Sequence, residues 1–171
     1  MNRFTRILTL VLALALPSGA KAAEHVYKKP SDFIKSAFGG QIPPTSIISL
    51  SGEVKSRARS IMAHNYRESR VRYWKQGRRS VWILEEIGKT KPITTGFVVE
   101  GGRIRSVEIL IYRESHGWEV SKPFFTKQFS GASLKSGDRL SASIKNVAGA
   151  TLSVRAVSKL ARLALYLDSK S

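Results

Sequence analysis

"NVAGATLSVRAVSKLARLALYLD", Asn146 to Asp168, decides how this chain is read. A Gly-Ala turn feeds a long amphipathic helix, expected from about Thr151 to Leu167. Val154, Val157, Leu160, Leu163, Ala164 and Leu167 recur at helical spacing and form its core stripe, while Arg155, Lys159 and Arg162 lie at i, i+4 and i+7 on another face. A helix with a broad apolar stripe needs a partner surface to cover it. Its start poses a chemical question. Gly149 lets backbone approach closely, the first turn of any helix offers free N–H groups, and Thr151 and Ser153 supply hydroxyls. Arg155, one turn later, adds a cation that can pair with phosphate. The same residues also describe an ordinary N-cap, because threonine is common at that position.

The partner surface is expected just upstream. "RVRYW" (Arg70 to Trp74) alternates, Gly77 marks a turn, and "SVWILEEI" (Ser80 to Ile87) follows, which is a hairpin pattern. A second hairpin joins Ile93–Val99 to Arg103–Tyr112 through Gly101-Gly102. In the last strand, strict alternation places Ile104, Ser106, Glu108, Leu110 and Tyr112 on one face and Val107, Ile109 and Ile111 on the other. About four antiparallel strands with one face to bury are therefore expected, flanked by helices in an α+β single domain.

Ahead of the sheet, Ser31 is expected to cap a short helix through Phe33, Ile34 and Phe38, ending at Gly39-Gly40. Gln41 to Ile48, with Pro43-Pro44, reads as a linker. Val54, Ala58, Ile61 and Met62 predict a helix over about 52–63. Residues 113–131 read as a loop with a short helix near Phe124–Phe129.

The first 22 residues carry a different signature. Arg3 and Arg6 precede an apolar run over 7–16, then Pro17-Ser18-Gly19 and a small-x-small site at Ala20-Lys21-Ala22. This is the pattern of a cleaved signal peptide, which predicts export, most simply to a periplasm. The expected organisation is a signal peptide over 1–22, an N-terminal helical segment over 23–69 and the main domain over 70–168. Residues 1–22 hold three of the 29 basic residues and none of the 12 acidic ones, so their removal lowers the formal charge from +17 to +14. Such a charge favours anionic partners. Export argues against nucleic acid as one of them.

There is no cysteine, which excludes disulfides, thiolate metal sites, haem attachment and iron–sulfur clusters. The three histidines lie in separate segments without carboxylates at ligand spacing. Ser115-His116 are adjacent and cannot face each other as nucleophile and base. Glu85-Glu86 reads as a solvated pair. Any redox chemistry here needs an organic cofactor.

"AGATLSV" resembles the flavinylation motif of the FMN-binding domain family, usually Ser/Thr-Gly-Ala-Thr/Ser with another hydroxyl one residue on. "RESHGWEV" (Arg113–Val120) is similar to that family's Glu-Thr-Pro-Gly loop, with Glu114, Ser115 and Gly117 matching. "PFFTKQFSGASL" (Pro123–Leu134) is similar to the segment that follows it. The order of hairpins, loop and helix is the family's from roughly Arg70 to Leu167. Two departures from the pattern matter: Ala148 stands where members have Ser or Thr, and Lys145 and Asn146 stand where members have an Asp.

The resemblance implies FMN joined through its phosphate to Thr151 by a flavin transferase, with Gly149, Ala150, Ser153 and Arg155 around the phosphate. It places the ring against the 112–118 loop, where Tyr112 and Trp118 would meet its apolar body and Glu114 would make a polar contact beside Ser115 and Gly117. It implies a periplasmic electron carrier, rather than an enzyme with its own substrate, serving membrane or periplasmic redox proteins through a basic surface. The alternatives are a cofactor-free basic module for anionic envelope polymers, or a family member that has lost flavinylation.

Overall fold

The computed structural model describes residues 24–171. The expected signal peptide, residues 1–22, lies outside the described residues. In chain order the elements are β1 (His25–Val26), α1 (Pro30–Ala37), β2 (Thr45–Ser49), α2 (Gly52–Met62), β3 (Arg70–Gln76), β4 (Arg79–Ile87), β5 (Pro92–Glu100) and β6 (Arg103–Tyr112). They continue with α3 (Pro123–Thr126), the two-residue strands β7 (Leu134–Lys135) and β8 (Arg139–Leu140), and α4 (Thr151–Asp168).

The sheet has six strands in the order β1-β6-β5-β4-β3-β2, every neighbouring pair antiparallel, where about four were expected. The four central strands are the two anticipated hairpins. The additions are edges. β2 forms within and just beyond the segment read as a linker: Pro43-Pro44 ends before Thr45, and the five residues that follow pair with β3. β1 is two residues long and pairs with the end of β6, His25 opposite Tyr112. The helix α1 starts at Pro30, so Ser31 sits inside it rather than capping it.

Both faces of the sheet are covered, where one was expected. The larger core lies between the sheet, α2 and α4, and includes Ile61, Met62, Trp82, Phe97, Ile104, Tyr112, Val157 and Leu160. Every residue of the expected α4 stripe is buried there. On the other face Phe33 and Ile34 of α1 pack with Val81, Val98 and Leu110. Gly96 makes this second layer possible, because a Cβ at that position would lie 2.5 Å from Cε1 of Phe33. Gly96→Ala should therefore destabilise the fold by about 1–3 kcal/mol through overpacking, read as a lower urea midpoint at unchanged slope.

Strict alternation fails in β6. Pairing with β5 slips twice: Val99 and Val98 oppose Ile104 and Ser106, and Thr95 and Thr94 oppose Ile109 and Ile111. Arg105 and Leu110 are thus extra residues, and each bulge reverses which face the following side chains meet. Ile104 joins Val107 and Ile109 in the larger core. Tyr112 joins them too, instead of sharing a face with Leu110. The second bulge turns Tyr112 toward the start of α4.

A partly buried chain of hydrogen bonds fixes the other end of α4. Trp82 Nε1 donates to Ser80 Oγ at 2.8 Å, and Ser80 Oγ donates to Asp168 Oδ1 at 2.6 Å.

Candidate functional site

The start of α4 is built by a short turn. Ala150 N–H donates to Val147 C=O at 3.0 Å, with Gly149 at φ +77° inside the turn. That left-handed conformation favours glycine. Ala150 is the N-cap residue, and among the described residues no side chain caps the first turn. Thr151 is the first helical residue, not the cap. Its side chain is exposed, and Asn146 Nδ2 donates to its Oγ1 at 2.9 Å. The N–H groups of an α-helix's first turn have no partner within the helix, and the positive end of the dipole adds to them. An exposed hydroxyl therefore stands where an anion is favoured.

Ser153 has another task. It is buried, with its Oγ 3.0 Å from Tyr112 Oη, while the Tyr112 hydroxyl donates to His116 C=O at 2.6 Å. The phenol has one proton, so Ser153 supplies the proton of the first contact. Burial raises the Tyr112 pKa and outweighs the Ser153 hydrogen bond, which lowers it, so the phenol stays protonated. This pair ties the 113–117 loop to α4. Gly117 lies in the joint at φ +86°, and a Cβ there would lie 2.8 Å from Tyr112 Oη and 3.2 Å from both Ala150 Cβ and Ser153 Oγ. Gly117→Ala combines left-handed strain with these contacts. A loss of about 2 kcal/mol, seen as a lower thermal midpoint, is the expected result.

Glu114 is the most heavily engaged side chain of the loop. Its Oε1 accepts N–H bonds from Lys89, from Thr90 at 2.6 Å and from Lys91 at 2.9 Å; its Oε2 accepts from Thr90 Oγ1 at 3.0 Å. Gly88 leaves room for it, since a Cβ there would lie 2.9 Å from Oε1. Burial opposes ionisation of Glu114, but the N–H donors of residues 89–91 and the Thr90 hydroxyl outweigh it and lower its pKa. The carboxylate sits in a nest made by the β4–β5 turn.

Between these parts lies an open cleft of about 560 Å³. Lys89 and Thr90 wall one side, Glu114, Ser115 and His116 another, and residues 149–153 the third. The structure thus gathers Gly149, Ala150, Thr151, Ser153, Glu114 and Ser115 at one cleft, with Gly117 packed beneath it. Two anticipated residues stand apart. Trp118 does not line the cleft; it is exposed, with Lys122 Nζ 4.9 Å from its ring centroid. Arg155 lines a second hollow on the far side of Thr151. Lys89 and Thr90 escaped the sequence reading, because a turn so far before Thr151 in the chain carries no mark of where it will land. Among the described residues no group of three or more metal-ligating side chains occurs, and no helix is long and apolar enough to cross a membrane.

The cleft fits FMN in kind. Its size falls in the range of small-molecule sites, and an exposed hydroxyl and free N–H groups wait at one end, as a phosphate requires. Lys89 adds a cation at the wall. Comparison with curated proteins and with solved structures finds no match. The family model of the FMN-binding domain matches residues 88–166, from the glycine that receives the Glu114 carboxylate to the last turns of α4. The matched segment contains every wall of the cleft. Residues 88–166 are thus an FMN-binding domain, and FMN is the cofactor of that domain.

Proposed function

We propose that this protein is a periplasmic electron carrier whose FMN is joined through its phosphate to Thr151. The observation that carries the reading is the exposed Thr151 hydroxyl at an uncapped helix start, on the edge of the cleft. Attachment would form a P–O bond to Thr151 Oγ1 as the pyrophosphate P–O bond of a flavin dinucleotide donor breaks, with the nucleoside monophosphate leaving and taking up the hydroxyl proton. Gly149 and the first-turn N–H groups would hold the phosphate, and Lys89 would add charge from across the cleft. Asn146 holds the hydroxyl oxygen by its amide, which fixes the side chain's direction. Ser153, Tyr112 and Gly117 keep the loop against the helix, and Glu114 keeps the β4–β5 turn against the loop. Bound FMN supplies the electron chemistry; the chain supplies attachment, orientation and access. The donors and acceptors would be membrane or periplasmic redox proteins, and a dedicated flavin transferase would install the cofactor.

Intact mass and the visible spectrum test this on protein exported with and without a flavin transferase. A yellow protein heavier by one FMN less one water, only with the transferase, is the expected outcome. Unmodified mass under both conditions overturns attachment, and loss of colour as well overturns the carrier reading.

A further inference from the structure

Thr151 stands between two hollows. One is the cleft; the other runs along α4, also about 560 Å³, and is lined by Ile144, Val154, Arg155, Lys159 and Arg162. The α4 core stripe faces the sheet, which leaves the three cations, spaced i, i+4 and i+7, on this side. Among the described residues none of the three enters an ion pair. No acid lines the hollow, and Asp138, Glu100 and Glu108 pair with other cations: Arg57, Arg79 and Arg105, and Lys28. The helix's sole acid, Asp168, is bonded to Ser80. Lys159 and Arg162 are half-buried, so their stems are already partly ordered and lose less entropy on pairing. Ile144 and Val154 give the hollow an apolar part, which a merely solvated charge stripe would not need.

We propose that this hollow docks the acidic face of a partner protein, one that presents carboxylates around an apolar side chain. Its purpose rests on the reading of Thr151 as the flavin's anchor, because a partner seated here touches that residue. Complementary charge would steer the encounter and set its orientation.

The test uses the exported protein made with flavin transferase, titrated with a labelled helical peptide that presents glutamates at i, i+4 and i+7 beside a leucine. The combined Arg155→Gln, Lys159→Gln and Arg162→Gln variant should bind about tenfold more weakly, with a flatter salt dependence. Neutralising Lys55, Arg59 and Arg70 should change binding less than about twofold. Should the triple variant misfold, Arg155→Gln alone, at an exposed position, should still cost about twofold. Equal losses from both triples, or none from the first, overturn the proposal. So does displacement of the peptide by anionic-lipid vesicles or polyphosphate at lower charge concentration than by unlabelled peptide. Intact mass read on the same samples separates the two ideas. Stripe-dependent binding without flavin removes the carrier reading and keeps the docking face, and flavin without stripe dependence does the reverse.

Discussion

Thr151→Ala, exported beside a flavin transferase, is expected to emerge at its unmodified mass, with the FMN increment lost completely. The substitution removes the one atom proposed to carry the phosphate and disturbs little else. Thr151 is exposed and is not the N-cap, and its hydroxyl's partner, Asn146, is itself exposed. Stability should therefore change by less than about 0.5 kcal/mol. That small change matters, because it separates a chemical role from a structural one. Thr151→Ser keeps a hydroxyl at the same place and should keep the increment. A Thr151→Ala protein that still gained one FMN less one water would move the attachment elsewhere and end this assignment.

The largest expected effect on stability belongs to Glu114→Ala, at about 3 kcal/mol. Three N–H groups and one hydroxyl converge on this carboxylate, and hydrogen bonds to charged groups contribute more than neutral ones. Removing it leaves the 89–91 turn without its acceptor and frees a wall of the cleft. In thermal unfolding the midpoint should fall by roughly 6–12 °C. The effect depends on pH with a definite sign. The folded pKa of Glu114 lies below the ordinary value of 4.5. Its contribution is thus fully present above the unfolded value and fades as pH falls through the folded one. The gap between wild type and Glu114→Ala should be constant near neutrality and shrink below pH 4.5. A gap that widened on acidification would contradict the assigned bonding.

Much of this was legible in the chain because it is local. The α4 stripe, the α2 pattern and the two central hairpins each announce themselves through period and turn residues, and the structure contains all of them. The edges were hidden. β2 follows two prolines that signal a break, and β1 is too short for any alternation. The bulges were hidden too, since an extra residue leaves composition unchanged while reversing the faces after it. Tyr112 therefore seemed to share a face with Leu110, yet it closes the joint at Ser153. At the site, the motif around Thr151 was visible, but not that Ser153 is committed to a phenol, that Glu114 is wrapped by a distant turn, or that Arg155 serves the other hollow. Those are long-range facts, set by which segments the fold brings together.

The two bonds that pin α4 to the sheet, Ser80 with Asp168 at one end and Tyr112 with Ser153 at the other, have a mechanical consequence. Helix ends ordinarily fray first, yet here the first turn is clamped to the sheet by a buried contact. A group hung on Thr151 would ride on a strut fastened at both ends, and so would leave its place only when the whole sheet opened. In hydrogen exchange, the amides of residues 154–156 should be as slow as those of central β5.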